Sequence, residues 1–234
     1  GRTERADAPG ESRGRPATTG HAAVESSMHV LVSGSTGLVG RALVTHLEEH
    51  GNVVTPLVRP ETDATGVEWS PDEGTVDAEG LARADAVVHL AGESIDQRWT
   101  AATKRHIRES RVRGTRLLAG ALADLADPPD VFVSASAVGY YGDRGDEWLT
   151  EETGPGDLFI SGVCEAWEAA TEPAAEAGVR VVTLRTGIVL STDGGALARM
   201  LPVFRLGLGG HLGSGEQYMS WVTREDAARA VGHL

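Results

Sequence analysis

The sequence has a single cysteine and no H-E-x-x-H motif, and both absences exclude classes of site. One cysteine, Cys164, cannot form an internal disulfide or a cysteine metal cluster within the chain. The eight histidines are scattered, so we expect no metal site. Cys164 is either a reactive thiol or a structural residue, and its neighbours Val163, Ala166 and Trp167 favour burial and the structural role.

The sequence also lacks long apolar runs and excess positive charge. No run reaches the roughly 18 apolar residues of a membrane span, and the first residues lack the order of a secretory signal. The formal net charge is −13. Residues 1–27 hold equal numbers of arginines and carboxylates, so the excess lies in residues 28–234. So acidic a surface repels nucleic acid and anionic membranes. We therefore expect neither as a partner, and we expect a cytoplasmic protein that acts on a small molecule.

The chain divides at Met28. Residues 1–27 are rich in Gly, Pro, Ser, Thr and Arg and have no apolar periodicity. Such a segment buries too little apolar surface to offset its ordering entropy. We predict a disordered N-terminal extension over 1–27, with Met28 as the natural start, and one folded domain over 28–234.

Apolar strands alternate with helices through most of the folded part. We predict strands at 29–33, 52–58, 67–69, 86–90, 130–135 and 179–184, and helices after residue 40, at 99–125 and at 157–177. A glycine-rich segment, a strand-like run at 218–222 and a helix at 224–234 complete the chain. Near-continuous apolar strands joined by helices predict an α/β fold with a doubly wound parallel sheet.

Three glycines lie directly after the first strand and open the first helix, in the sequence GSTGLVG. One permits a tight turn, another lets the backbone approach a pyrophosphate, and the third permits close helix–strand packing. The helix N-terminus adds unpaired amides for the phosphates. We predict an NAD(P)-binding Rossmann domain over 28–234 whose cofactor turn comprises Gly34, Ser35, Thr36, Gly37, Leu38, Val39 and Gly40.

The second strand ends in an arginine. NAD sites carry an acid there for the ribose 2′-hydroxyl, whereas this chain has Arg59. A guanidinium pairs with a 2′-phosphate, so NADP(H) is favoured and NAD(H) is possible. Arg41 is placed to assist. The alternative is that both are solvated surface arginines.

Six further segments carry a family resemblance. They are VVHLAGE (87–93), SRVRGTRLL (110–118), VSASAVGYYGD (133–143), LRTGIVLS (184–191), LGSGEQ before residue 218, and MSWVTREDAARA (219–230). With the cofactor turn, these motifs resemble the extended branch of the short-chain dehydrogenase/reductase superfamily. They are most similar to its atypical family of NAD-dependent epimerase/dehydratase or nucleoside-diphosphate-sugar epimerase type. The resemblance implies that Leu90, Ala91 and Gly92 pass the adenine side of the cofactor.

The superfamily's catalytic tetrad of Asn, Ser, Tyr and Lys is incomplete here. The resemblance leaves the serine as Ser136, or less well Ser134, and puts Arg111 at the asparagine position. The Tyr-x-x-x-Lys pair falls on Ile160 and Cys164, or on Phe159 and Val163 one residue earlier. Neither register supplies an acid or a base.

Other residues are candidates for the missing chemistry. Tyr140 and Tyr141 follow Ser136 at a strand's carboxyl end. Either one of them is the acid, or both pack over the nicotinamide. Glu93 is either a general base or a capping or ribose contact. Lys104, Arg108 and Arg111 share a helix face and either recognise a substrate anion or are solvated.

The segment at about 186–222 is predicted to begin the substrate side of the domain. We expect packing roles for Met200, Leu201, Phe204 and Leu206. The segment 207–215 is either a lid or a static connection. Relatives continue beyond the equivalent of Leu234, so the resemblance implies a truncated substrate segment. It also implies a possible homodimer through the two long helices.

Two functions fit these observations. The first is an NADP(H)-binding oxidoreductase or epimerase-like enzyme that transfers a hydride on a small polar or nucleotide-linked substrate, with Ser136 orienting the reacting oxygen and Tyr140 or Tyr141 as the acid. The alternative is a non-catalytic NADP(H)-binding sensor or regulatory module, because the Tyr-x-x-x-Lys pair is missing.

Overall fold

The computed structural model describes residues 27–211 and 213–234. The predicted disorder of residues 1–27 therefore lies outside the described residues, apart from Ser27. The strands are β1 (His29–Ser33), β2 (Val53–Val58), β3 (Val67–Ser70), β4 (Thr75–Val76), β5 (Ala86–His89), β6 (Val131–Ala137), β7 (Arg180–Thr186), β8 (Ile188–Leu190) and β9 (Trp221–Thr223). The helices are α1 (Leu38–Glu49), α2 (Ala78–Leu81), α3 (Ala101–Ala123), α4 (Phe159–Ala169), α5 (Glu172–Glu176), α6 (Gly195–Arg205) and α7 (Arg224–Gly232), with a short 3₁₀ turn at Val138–Tyr140.

Seven strands form one sheet in the order β4-β3-β2-β1-β5-β6-β7. All its pairs are parallel except β3–β4, which confirms the predicted doubly wound fold. The chain leaves β1 toward β2 on one side and returns to β5 on the other. In such sheets ligands bind in the crevice where the strand order reverses. The switch point here lies at the carboxyl ends of β1 and β5.

Helices cover both faces of the sheet. Successive strand residues point to opposite sides, so each strand contributes apolar side chains to two cores. Leu31, Val87 and Phe132 join one core with Leu118 and Leu122 of α3. The other core joins neighbouring strand residues to α1 and α7; it includes Val30, Val32, Val88, Leu43, Ala228 and Val231. Near-continuous apolar strands thus reflect burial on both faces, as the sequence predicted.

The structure corrects the helix predicted at 157–177. It forms two helices, α4 and α5, separated at residues 170–171. Pro173 lies at the start of α5 and has no N–H to donate to the carbonyl of Ala169, so the α4 ladder cannot continue through it. The break leaves Glu168 in the last turn of α4.

The structure also corrects the packing roles that were expected in the 186–222 segment. It contains β8, paired with β9 in a small second sheet, and the helix α6. Met200, Phe204 and Leu206 do not pack inside: their exposed fractions are 36%, 53% and 74%. Packing roles were expected for these three residues and for Leu201. Leu201 is half-buried, and the expectation is wrong for the three exposed residues. None of the described helices combines the length and apolarity needed to cross a bilayer.

Candidate functional site

The glycine turn after β1 has no room for side chains at two positions. Gly34 has a φ of +71°, and a Cβ there would lie 2.9 Å from the backbone nitrogen of Ala91. A Cβ on Gly40 would lie 2.1 Å from the carbonyl oxygen of Gly34. The turn closes with a hydrogen bond of 2.9 Å from the Gly37 N–H to the Gly34 carbonyl. Glycine is therefore required by backbone contact at Gly34 and Gly40.

The N-terminus of α1 opens directly from this turn. Gly37 is its N-cap and contributes no side-chain hydrogen bond, and no acidic residue occupies the first turn. Thr36 and Gly37 are exposed, while Ser35, Leu38 and Val39 are half-buried. Free amides at the positive end of a helix dipole suit an anion such as a pyrophosphate. The predicted turn is thus assembled as one backbone surface at the switch point.

A buried hydrogen bond joins the carboxyl ends of β1 and β5. Ser33 Oγ accepts the N–H groups of Leu90 and Ala91 at 3.2 and 3.3 Å. Its own proton is thereby directed to His89 Nδ1, 2.6 Å away. Ser33 thus holds Leu90, Ala91 and the following Gly92 beside Gly34. Of the three predicted adenine-side residues, Leu90 and Ala91 thus lie against the cofactor turn.

His89 is wholly enclosed and uncharged at neutral pH. Burial, reinforced by the positive charge of Arg111, lowers its pKa to about 3. Among the described residues, its Nε2 is the one buried side-chain nitrogen or oxygen without a hydrogen-bond partner. The Trp69 ring meets it edge-on at 5.5 Å between centroids. Ser33 and His89 were not among the predicted site residues, although polar residues at the ends of buried strands are a signal visible in the sequence.

Arg59 borders a cleft of about 290 Å³ at the carboxyl ends of β2 and β3. Its guanidinium lies 3.4 Å from the carboxylate of Asp72 and 5.2 Å from the Trp69 ring centroid. Glu93 and Arg113 line the same cleft. Arg59 is therefore neither fully solvated nor free, because its guanidinium pairs with the exposed Asp72 carboxylate.

Arg41 does not join this cleft. It donates a hydrogen bond to the carbonyl of Thr36 within the glycine turn. It lines a separate cleft between α1 and α7, together with His46 and Arg229. The structure thus brings only one of the two predicted arginines to the end of β2.

Ser136 belongs to a buried polar cluster that sequence analysis did not foresee. Its hydroxyl donates to the carboxylate of Glu168 at 2.6 Å. Arg185 donates to the same carboxylate through Nε at 2.8 Å and NH2 at 2.7 Å. The Arg185 and Glu168 side chains are 18% and 14% exposed. The carboxylate raises the pKa of Arg185 above its ordinary value, so the guanidinium stays charged.

The tyrosine pair lies on the other side of Arg185. The NH1 group of Arg185 donates to the Tyr141 hydroxyl at 2.9 Å, and the guanidinium carbon of Arg185 lies 3.6 Å from the Tyr140 ring centroid. Tyr141 is buried, with 8% exposed, whereas Tyr140 is half-buried. The three candidate catalytic residues Ser136, Tyr140 and Tyr141 are therefore brought together, with Arg185 between them.

Two signals, one in the register of the sheet and one in the helical spacing of the sequence, mark the members of this cluster that were not predicted. Arg185 is the register partner of Ser136 across the β6–β7 pair. Glu168 follows Cys164 by one helical turn, so both face the same side of α4. Neither signal identifies the partner without the packing of α4 on the sheet.

The tetrad positions themselves hold no acid or base. Cys164 is buried, and burial raises the pKa of its thiol above the ordinary value, as does the Glu168 carboxylate. Ile160 packs against Gly139 in the turn after β6. Ser134 is buried and donates to the carbonyl of Ala135. The structural role predicted for Cys164 is consistent with this environment.

The basic face of α3 is used within the fold. Arg108 donates to the carbonyl of Gly162, and Lys104 lies 5.0 Å from the Phe159 ring centroid. Arg111 donates to the carbonyl of Glu93 at 2.9 Å and lies over Trp167. Burial lowers the pKa of Arg111. These cations thus contact α4 and the loop after β5, and Arg108 is also exposed, as the solvated alternative expects.

Glu93 lies at the mouth of the Arg59 cleft. Its carboxylate accepts a hydrogen bond from Gln97 at 2.8 Å, and its N–H donates to Ser110 Oγ at 3.0 Å. This carboxylate is exposed and lies apart from the hydrogen bonds of the Ser136 cluster. Its contacts suit a loop-capping role.

Two histidines at the C-terminal end of α1, His46 within the helix and His50 at its C-cap, form a close pair that was not predicted. His46 and His50 are one helical turn apart, with ring centroids 4.2 Å apart. The Nδ1 of His50 hydrogen-bonds the carbonyl of His46. In the part of the chain that the structure describes, no group of three or more His, Cys, Asp and Glu residues is placed to hold a metal ion.

Comparison with known proteins supports the same reading of the fold and the turn. The model of the NAD dependent epimerase/dehydratase family matches residues 30–234. The chain is 44% identical over 204 residues to Epimerase family protein Mb2239 of Mycobacterium bovis, covering 86% of this chain and 67% of that protein.

Two solved structures are similar over most of the chain. One is the nucleoside-diphosphate sugar epimerase from Corynebacterium glutamicum, with a TM-score of 0.79 and 42% identity, over 88% of this chain and 43% of that one. The other is human epimerase family protein SDR39U1 (isoform2) with NADPH, with a TM-score of 0.77 and 36% identity, over 88% of this chain and 69% of that one. The chain thus spans less than half the length of the Corynebacterium protein.

Proposed function

The chain belongs to the NAD-dependent epimerase/dehydratase family, and on that premise we propose that it binds NADP(H), in preference to NAD(H), and transfers a hydride on a small polar or nucleotide-linked substrate. The observation that carries the proposal is the backbone cradle of the glycine turn. Contacts at Gly34 and Gly40 that exclude any Cβ are the contacts that a pyrophosphate-binding turn needs.

The preference for NADP(H) rests on Arg59. A guanidinium at the end of β2, on the rim of a cleft, is suited to a 2′-phosphate and lacks the acceptor that a 2′-hydroxyl would use. A relative 36% identical to this chain has been solved with NADPH, which supports the assignment.

The catalytic half of the proposal rests on the residues after β6. When bound, the cofactor donates or accepts a hydride at C4 of its nicotinamide. Ser136 would orient the reacting oxygen, and a tyrosine of the Tyr140–Tyr141 pair would deliver the proton to it or take it away. Because the Ser136 proton is directed to Glu168, Ser136 offers lone pairs and suits a substrate hydroxyl.

Calorimetric titration with NADPH and with NADH tests the binding proposal directly. Tight binding of NADPH and weak binding of NADH is the expected result. Equal affinities would remove the role of Arg59, and no binding of either would overturn the function. A panel of small carbonyl compounds, with absorbance of NADPH as the readout, then tests hydride transfer.

A second candidate is a non-catalytic NADP(H)-binding module. It is favoured by Ile160 and Cys164 at the tetrad positions, where an acid and a cation would stand. If this candidate is right, NADPH should bind tightly, but no carbonyl compound should oxidise the bound NADPH. A Ser136→Ala variant should then keep the same affinity for the cofactor. Oxidation that is lost in Ser136→Ala would exclude it.

A further inference from the structure

The cluster around Arg185 distinguishes the two tyrosines that the sequence left equivalent. Arg185 reaches both, but in different ways. It donates a hydrogen bond to the hydroxyl of Tyr141 and packs against the ring face of Tyr140. Within residues 27–211 and 213–234, nothing hydrogen-bonds the Tyr140 hydroxyl.

The hydrogen-bonding capacity of Arg185 is almost fully used inside the protein. Nε and NH2 bind the Glu168 carboxylate, and NH1 binds Tyr141 and the carbonyl of Glu151 at 3.2 Å. A guanidinium has five N–H donors, so little remains for a substrate anion. Arg185 therefore acts on other protein groups.

The Arg185 guanidinium supplies a positive charge beside the tyrosines, where the incomplete tetrad lacks its lysine. The resemblance implies a lysine one turn beyond a tyrosine on α4, and this chain has Cys164 there. Arg185 brings a permanent positive charge to the tyrosines from the neighbouring strand β7. Glu168, also on α4, fixes its orientation through two hydrogen bonds.

We propose that Arg185 and Glu168 are the positioning residues of this site, that Tyr141 and Ser136 are held by them, and that Tyr140 carries the free hydroxyl that meets the substrate. This inference rests on the proposed function, since it assigns roles within the same cofactor-dependent site. It commits to one member of the tyrosine pair as the catalytic residue.

Acetylation of phenol hydroxyls by N-acetylimidazole, mapped by mass spectrometry, tests the assignment without a substrate. The whole chain contains three tyrosines, and Tyr218 is 80% exposed, so it serves as an internal reference. We expect Tyr140 and Tyr218 to be acetylated and Tyr141 to be protected. Acetylation of Tyr141 as fast as that of Tyr140 would overturn the assignment.

Bound NADPH supplies the second arm. At about 100 times Kd it should slow acetylation of Tyr140 by up to about 100-fold and leave Tyr218 unchanged. Full reactivity of Tyr140 under saturating NADPH would place its hydroxyl away from the cofactor and overturn the inference. Absence of NADPH binding in the calorimeter would instead refute the proposed function, while protection of Tyr141 would remain measurable.

Variants of the two positioning residues complete the test. In Arg185→Met, Tyr141 should become as reactive as Tyr140, and Arg185→Lys should restore part of its protection because a cation remains. If Arg185→Met does not fold, Glu168→Gln replaces it, because glutamine keeps the shape of the side chain. The acetylation rate of Tyr141 should then lie between those of the unchanged protein and of Tyr140. Where a carbonyl substrate is found, these variants should lower kcat more than they raise KM, and Tyr140→Phe should abolish turnover with NADPH affinity intact.

Discussion

Gly34 and Ala91 belong to different crossovers of the sheet, yet a Cβ on Gly34 would stand 2.9 Å from the Ala91 nitrogen. Their contact is where the end of β1 meets the segment after β5. It is held by Ser33, which accepts the Ala91 N–H. The cofactor turn therefore depends on a close backbone contact, and any side chain at Gly34 would disrupt it.

Replacing Gly34 by alanine should abolish NADPH binding and lower stability. The left-handed backbone alone costs about 1–2 kcal/mol for a residue with a Cβ, and the contact with Ala91 adds to it. Gly51→Ala is a matched control, since Gly51 has a φ of +83° with nothing within 4 Å. Urea unfolding and calorimetry measure both. Equal losses in the two variants would argue against the contact.

Replacing Arg59 by methionine should weaken NADPH binding and spare NADH. The expected loss is roughly 10- to 100-fold, because a hydrogen bond to a charged group contributes about 1.5–3 kcal/mol. Asp72→Asn should strengthen NADPH binding, since it frees Arg59 from its 3.4 Å pairing. Arg116→Met, an exposed arginine outside the cleft, is the control. A parallel loss of both cofactors in Arg59→Met would contradict the assignment.

The Glu168–Arg185 pair should couple strongly in stability. Removing one partner leaves a half-buried charge unpaired, which costs at most about 3–5 kcal/mol, the range for fully buried pairs. A double-mutant cycle of Glu168→Gln and Arg185→Met, measured by urea unfolding, should therefore be far from additive. The same cycle on Asp226 and Arg229, whose side chains are 58% and 67% exposed, should give at most about 1 kcal/mol. Additive effects at Glu168 and Arg185 would exclude the buried pair.

Acid should destabilise the fold through His89. Its pKa is lowered from 6.5 to about 3 by folding, so the unfolded chain binds a proton that the native state does not. The contribution of His89 to the free energy of unfolding is fully present above pH 6.5. It is lost as the pH falls from 6.5 toward 3, by up to about 1.4 kcal/mol per pH unit. Urea unfolding between pH 7.5 and 5.5 should show this slope. His89→Leu should flatten it and the exposed His106→Asn should not.

Cys164 should be inert in the native protein. The residue is 1% exposed, and burial raises the pKa of its thiol, so little thiolate is available. An aromatic disulfide reagent should therefore titrate no thiol under native conditions and one per chain in urea. Rapid native reaction would restore the reactive-thiol alternative. Because the chain has one cysteine, no background thiol complicates the measurement.

The fold and the cofactor turn were predictable because their signals are local. Buried parallel strands appear in the sequence as apolar runs, and a phosphate-binding turn needs glycines at fixed spacing between a strand and a helix. The strand predictions at 29–33 and 86–90 fall within one residue of β1 and β5. The helix at 157–177 was predicted wrongly, because its apolar period continues through Pro173 while its backbone hydrogen bonds cannot.

The α/β class, the glycine turn, the arginine after β2 and the absence of the usual tyrosine–lysine pair can all be recognised in the amino-acid sequence alone. The folded chain was needed to show that Glu168 and Arg185 meet Ser136 and that Asp72 reaches Arg59. It also shows that Arg185 binds the Tyr141 hydroxyl, whereas no described residue binds that of Tyr140. The reason is sequence separation. Groups on α4, β6 and β7 come together only when the helix packs across the sheet, and hydrogen-bond partners are set by that packing and not by residue type.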